Sequence, residues 1–207
     1  GSIRLSGGRD ISILSGIGPV LFWNPPILPP IDPGDLPPPP PSKHVRSLQG
    51  QVIIQAGGSI LDGDSNDLSG ISGRGITLTA GGSIGTAENA LELNFAAQGS
   101  QDTLTAHAQQ GVFITAVTSA LHARDVSSAT SDVHLVTLDG PILAGWITAD
   151  NGTVALLSNG YIAPGGTFGG IRAAQIALRA PNAHIGSLLN PLRIDSHGTT
   201  TSVVSAS

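Results

Sequence analysis

The sequence predicts an all-β protein, a right-handed parallel β-helix with a proline-rich insertion outside the helix. Three observations predict this fold: short alternating strands recur, an aliphatic residue follows each strand after a polar or Gly-rich corner, and the spacing is close to 25 residues. Strands this short cannot bury an apolar face alone, whereas stacked coils bury a continuous column. Each coil would rise by about 4.8 Å, the distance between hydrogen-bonded strands.

Six aliphatic residues mark the repeat, and each follows a short corner that contains Gly or Asn. Their successive spacings are 24, 28, 30, 20 and 23 residues. In chain order they are Ile60, Ile84, Val112, Ile142, Ile162 and Ile185. We expect these six side chains to form a single vertical stack inside six or seven coils, because a repeat places equivalent residues above one another.

A strand-like run precedes each of these residues. The runs are QVIIQ (51–55), GITLT (75–79), DTLTA (102–106), DVHLV (132–136), TVALL (153–157) and QIALR (175–179). Apolar residues alternate within them, as Val52 and Ile54 do in the first, and a two-residue period is the signature of a strand.

The principal rival folds fit the pattern less well. A β-sandwich has strands every 8–12 residues joined by hairpins, with no aliphatic residue repeating in phase. A helix over AENALEL (87–93) is disfavoured because the matching segment LLNPLRI (188–194) carries Pro191, and proline disrupts a helix interior.

Composition excludes several classes of function. The 207 residues carry a net charge of −5 with a single Lys, so a basic surface for nucleic acid is not expected. No apolar run is long enough to span a bilayer. The chain opens with Gly1-Ser2 and has neither an initiator Met nor a charged-then-apolar signal segment, so we expect it to be a piece of a longer protein.

The segment AGGSIGTAENALEL (80–93), preceded by ILDGDSNDLSG (60–70), resembles the repeats of filamentous-haemagglutinin-like exoproteins of Gram-negative bacteria. The resemblance covers about residues 50–95 and returns over 175–195. It implies a secreted β-helical shaft that is exported through an outer-membrane partner and attaches to cells, matrix or other bacteria. It brings no catalytic motif with it.

A proline-rich arm over residues 18–46 departs from a plain shaft. It holds eleven of the fifteen prolines, which cannot donate hydrogen bonds to a sheet. The simplest interpretation is a surface loop insertion of polyproline II character. Its apolar residues indicate either packing on the shaft or a contact surface, and the partner-binding candidates are Phe22, Trp23, Ile27 and Leu28.

Two short motifs have the form of functional sites. Asp62, Asp64 and Asn66 alternate as the first ligands of a calcium loop do, although Gly73 stands where a twelve-residue loop needs its Glu. A polar corner is the alternative to calcium at this point. GGSIG (81–85) matches a serine hydrolase elbow, but GGSIL (57–61) repeats its frame and no helix follows, so the repeat accounts for Ser83.

The expected function is structural and adhesive, without catalysis, on an extracellular surface whose receptor or glycan the sequence does not identify. A carbohydrate-active β-helix, a polysaccharide lyase or hydrolase, is the alternative from another class. It would need paired carboxylates on one wall, and the acidic residues are scattered in sequence. A third interpretation is a spacer with no ligand.

Overall fold

The structure is a computed structural model that describes residues 3–13, 45–47, 50–63, 70–95, 102–117, 120–166, 169–197 and 203–206. These ranges contain strands, turns and bends but no helix. The described residues therefore include no helix that is long and apolar enough to cross a membrane. In chain order the strands are β1 Ile3–Gly7, β2 Ile11–Ile13, β3 Val45–Arg46, β4 Gln51–Ala56, β5 Ile60–Asp62, β6 Ile71–Gly73, β7 Gly75–Ala80, β8 Leu91–Phe95, β9 Thr103–Ala108, β10 Val112–Ala116, β11 Leu121–Ser128, β12 Val133–Thr137, β13 Ile142–Ser158, β14 Ile162–Pro164, β15 Gly170–Ala180, β16 Ile194–Ser196 and β17 Val203–Ala206.

Every strand pair is parallel, and the strands coil into a right-handed parallel β-helix of about six turns. The predicted fold class is therefore confirmed. The first wall runs through β1, β4, β7, β9, β11 and the first half of β13. The long strand β13 turns a corner, and the second wall runs back from its second half through β12, β10, β8, β6 and β3. Strand β15 adds a further coil to both walls.

The core is a thin column of aliphatic side chains between the walls. On the first wall one row stacks Ile54, Leu78, Ala106, Val126 and Ile147, and all five are fully buried. Each predicted run lies in a strand, except that Asp102 and Asp132 come one residue before theirs. The alternating apolar residues point inward, as the two-residue period requires. Phe95 is the one aromatic side chain in the core of the described residues, which agrees with a core built from Ile, Leu, Val and Ala.

The expectation of one stack of six anchor residues is wrong, because the six divide between two stacks. Ile60, Ile84 and Val112 are neighbours in one stack, which continues upward through Val133, Val154 and Ile176. Ile142, Ile162 and Ile185 form a second stack that begins at Leu121.

The coils shorten after Val112, and this explains the error. Val112, Val133 and Val154 follow one another in the stack, so these coils are 21 residues long rather than about 25. Each such coil has two corners that lead into a buried aliphatic residue. The corner SATSD before Val133, in the first stack, has no glycine, whereas the corner LDGP before Ile142, in the second stack, has one. The glycine that marks a corner in the sequence therefore belongs to a different stack in this coil.

The two similar segments around Ile84 and Ile185 form the same turn. Gly85 and Gly186 both have φ of 64°, a left-handed conformation that favours glycine. The residue after each glycine, Thr86 or Ser187, accepts a hydrogen bond that closes the turn. The amide of Asn89 donates to the Thr86 hydroxyl at 3.0 Å, and the amide of Asn190 donates to the Ser187 hydroxyl at 3.0 Å. The turn at Gly85 follows Ile84 of the first stack, and the turn at Gly186 follows Ile185 of the second stack. The same turn therefore occurs at two different corners of the coil.

Ser83 belongs to a ladder of corner residues. Its amide donates to the Ser59 hydroxyl at 3.1 Å, and the amide of Ser59 donates to the Asp10 carboxylate at 2.5 Å. Isolated bridges, not a helix, follow it at Ile84. Ser83 therefore occupies the position of Ser59 in the next coil, which confirms the interpretation of Ser83 as a repeat residue.

Most of the proline-rich arm, residues 18–44, lies outside the described residues. Its last two residues, Val45 and Arg46, form β3 and pair with Ile71 and Ser72 of β6. Val45 is therefore the first described residue of the second wall.

Candidate functional site

The partner-binding candidates Phe22, Trp23, Ile27 and Leu28 lie outside the described residues. Their predicted role stays a prediction.

Of the three calcium candidates, Asp62 alone is described, and Asp64 and Asn66 lie outside the described ranges. Asp62 ends β5 with a buried side chain, and its main-chain oxygen accepts a hydrogen bond from Asn89 Nδ2 at 3.4 Å. No group of three His, Asp or Glu side chains able to hold a metal ion occurs among the residues that the structure describes. The calcium site also stays a prediction.

The outer face of the first wall carries an exposed tryptophan. Trp146 lies in β13 beside Ile147, which is fully buried, so the indole points outward and is 52% exposed. Asp125 occupies the same position one coil below, and Gly170 occupies it one coil above. A methyl group added to Gly170 would lie 3.3 Å from Arg193 Cβ and 3.8 Å from Trp146 Cζ3, so Gly170 places no side chain over the indole and Arg193 lies on its other side.

Below the tryptophan, a histidine joins two neighbouring polar side chains. His107 Nδ1 lies 2.7 Å from the Ser127 hydroxyl, one coil above it. His107 Nε2 lies 3.7 Å from Asp125 Oδ2. All three belong to the outward rows. Asp125 lies directly below Trp146, and His107 lies two coils below it, beside Ser127.

Above the tryptophan, an arginine is held between two carboxylates. Arg172 Nε lies 3.2 Å from Asp150 Oδ1 and 3.9 Å from Asp195 Oδ2. Thr148 lies directly below Arg172 in the same outward row. Because a guanidinium has five N–H donors, contacts through Nε still leave its other donors for hydrogen bonds to a ligand.

We call this surface the tryptophan patch. It consists of the outward side chains of His107, Asp125, Ser127, Trp146, Thr148 and Arg172. They lie on successive coils of a rigid wall and combine one apolar ring with donors and acceptors on both sides of it. Such a surface can bind a ligand that offers an apolar face and polar edges together.

Ser127, His107 and Asp125 also have the residue types of a catalytic triad. The geometry favours binding over catalysis. The distance of 3.7 Å between His107 and Asp125 exceeds that of a hydrogen bond.

Sequence reasoning missed the tryptophan patch because its members are far apart in sequence. His107 and Arg172 are brought onto one surface only by the register of the coils. One signal was present. In the segment GWITAD, alternation that buries Ile147 must expose Trp146, and a tryptophan on the outer face of a strand is a candidate contact residue.

The second wall offers a different surface, a shallow apolar groove of about 320 Å³. Its outward floor is formed by Ala155 and Ala177, with Leu157 beside them at 39% exposure. Arg179 and His134 border it. The groove has fewer polar groups than the tryptophan patch and offers less to orient a ligand.

A buried carboxylate lies in the corner that leads into β9 of the first wall. The Asp102 side chain is 3% exposed and lies 3.7 Å from Arg74 Nε. Burial lowers the pKa of nearby His122 below its ordinary value of 6.5, and the Asp102 charge opposes this shift. The folded protein therefore favours neutral His122.

This lowered pKa predicts a loss of stability in acid. Below the ordinary pKa the unfolded chain binds a proton at His122 before the folded chain does, so the free energy of unfolding falls as pH falls from about 7. We expect His122→Gln to reduce this pH dependence, because glutamine does not titrate. Urea unfolding of both proteins from pH 8 to pH 5 measures it, and equal slopes for the two would contradict the assignment.

No protein-family model, curated protein or solved structure matches the chain. Function therefore has to be inferred from the residues and geometry of the chain itself.

Proposed function

We propose that the chain is a structural and adhesive segment of a secreted bacterial filamentous adhesin, exported through an outer-membrane partner. It holds a contact surface at a fixed place on a stiff shaft and attaches to receptors or glycans of host or bacterial surfaces. The observation that carries the proposal is the tryptophan patch: a half-exposed indole among outward polar side chains on a regular wall.

The β-helix suits this role because adhesion requires a surface that does not rearrange. Successive coils are joined along their length by parallel ladders, as between β7 and β9 and between β11 and β13. Side chains on such a wall keep their mutual positions, so a ligand meets them with little further loss of conformational entropy. The repeat-level resemblance to filamentous-haemagglutinin-like exoproteins supports the same role.

Binding to surfaces tests the proposal directly. Labelled protein is expected to bind epithelial cells, matrix-coated plates or Gram-negative bacteria in a saturable manner, and excess unlabelled protein should displace it. A chain heated until it unfolds serves as the control. Failure to bind any of these surfaces saturably would contradict adhesion and favour a spacer.

A carbohydrate-active enzyme is the second candidate, favoured by the contact of 2.7 Å between Ser127 and His107. A panel of soluble polysaccharides separates the two functions. The adhesive proposal expects no new reducing ends after prolonged incubation. Turnover that disappears in Ser127→Ala would favour the enzyme instead.

A further inference from the structure

We propose that the tryptophan patch is a binding site for a neutral, pyranose-containing glycan, with one sugar ring stacked on Trp146. This inference rests on the proposed adhesive function and names its ligand class and site. A single exposed apolar side chain is ordinary on a protein surface. The inference therefore depends on what surrounds the indole.

The chemistry of the surroundings matches a sugar ring. A pyranose has C–H groups on its face and hydroxyl groups around its edge, so it needs an apolar plane bordered by donors and acceptors. Trp146 supplies the plane, and Gly170 in the next coil has no side chain that could cover the ring. Asp125 supplies acceptors on one side, and Arg172 supplies donors on the other.

Arg172 is already restrained before a ligand arrives. Its Nε lies 3.2 Å from Asp150 Oδ1, whereas the 3.7 Å between His107 Nε2 and Asp125 Oδ2 is longer than a hydrogen bond. A restrained side chain loses less entropy on binding than a free one, and this improves affinity for a ligand of matching shape.

The balance of charge favours a neutral glycan over a sulfated one. Asp125, Asp150 and Asp195 contribute three negative charges around the patch. Arg172, the exposed Arg124 next to Asp125 in sequence and the exposed Arg193 next to Gly170 contribute three positive charges. A polyanion requires a clear excess of basic groups, which this surface lacks.

The wall also disfavours an extended peptide as the ligand. Peptides that add to a sheet bond to unpaired main-chain groups at an edge strand. Trp146 lies in the interior of the ladder, where β13 pairs with β11 on one side and with β15 on the other. Recognition at this position must therefore come from side chains, as glycan binding does.

Tryptophan fluorescence provides a specific assay. The chain contains two tryptophans, so Trp23→Phe makes Trp146 the sole indole. Neutral gluco-, galacto- and manno-oligosaccharides are titrated into this variant, with heparin oligosaccharides as the charged comparison. We expect at least one neutral series to change the emission saturably, with an affinity that changes little between about 50 and 500 mM salt.

Substitutions then locate the site by calorimetric titration of the same oligosaccharide. We expect Trp146→Ala to weaken binding by about tenfold or more, Asp125→Asn by several-fold, and Trp146→Phe by less than Trp146→Ala. Leu157→Ala, an exposed change on the second wall, should leave affinity unchanged. Unfolding curves check that each variant is folded.

The outcomes separate this inference from the adhesive function. Saturable binding to surfaces without affinity for any neutral oligosaccharide would overturn the glycan assignment and leave adhesion standing. Affinity for heparin alone, or equal affinity in Trp146→Ala and the parent, would overturn it as well. Absence of both surface and glycan binding would overturn both proposals.

Discussion

Leu156→Ala is expected to lower the free energy of unfolding by about 2–5 kcal/mol, the usual cost of removing most of a buried leucine side chain. Leu156 is 1% exposed and lies between Leu135 and Leu178 of the adjacent coils. The coil is thin, so few neighbouring side chains can move into the space that remains. Urea unfolding followed by circular dichroism measures the loss.

Leu157→Ala is the matched control for this substitution. The two leucines are adjacent in β13, but Leu157 points outward and is 39% exposed. Its replacement is expected to change the free energy of unfolding by about 0.5 kcal/mol or less. Equal losses in the two variants, or a larger loss at Leu157, would show that the inward and outward faces are assigned incorrectly.

Gly85→Ala is expected to lower the free energy of unfolding by roughly 2–5 kcal/mol, for two reasons that add. The residue has φ of 64°, which is unfavourable for a residue with a side chain. A methyl group there would also lie 2.3 Å from the main-chain oxygen of Phe113 and 2.8 Å from the nitrogen of Leu91, both in the backbone. Thermal and urea unfolding both measure the change.

Two other glycines calibrate the Gly85 result. Gly186 has the same φ, but a methyl group would meet its nearest atom, the Leu192 nitrogen, only at 3.1 Å. Gly186→Ala should therefore cost about 1–2 kcal/mol, less than Gly85→Ala. Gly166 has open space around it, so Gly166→Ala should cost about 0.5 kcal/mol or less. The reverse order would contradict the repeated-turn geometry.

The sequence predicted the fold class because strand alternation and corner chemistry are local. Val133 and Leu135, for example, are buried as their parity requires. The vertical register was harder to predict, since it depends on how many residues each corner uses. Glycine marks the corner before Ile142 but not the one before Val133. The sequence pattern therefore places Ile142 above Val112, whereas Val133 occupies that position in the structure.

The candidate site could be predicted only in part, for the same reason. Alternation alone places Trp146 on the outer face, but its polar neighbours come from the coils above and below. His107 reaches Ser127 and Asp125 because β9 and β11 shift register between Ala123 and Asp125. Sequence spacing carries no direct sign of such a shift.

A cysteine cross-link measures the register of the coils most directly, because the chain has no cysteine of its own. Phe113 pairs with His134 in adjacent coils, and Cα atoms of such neighbours are about 5 Å apart, within disulfide range. One stack of anchors would instead place Phe113 beside Leu143. We predict that Phe113→Cys/His134→Cys forms an intramolecular disulfide under mild oxidation and that Phe113→Cys/Leu143→Cys does not. A cross-link in the second pair alone, or in neither, would contradict the two-stack β-helix.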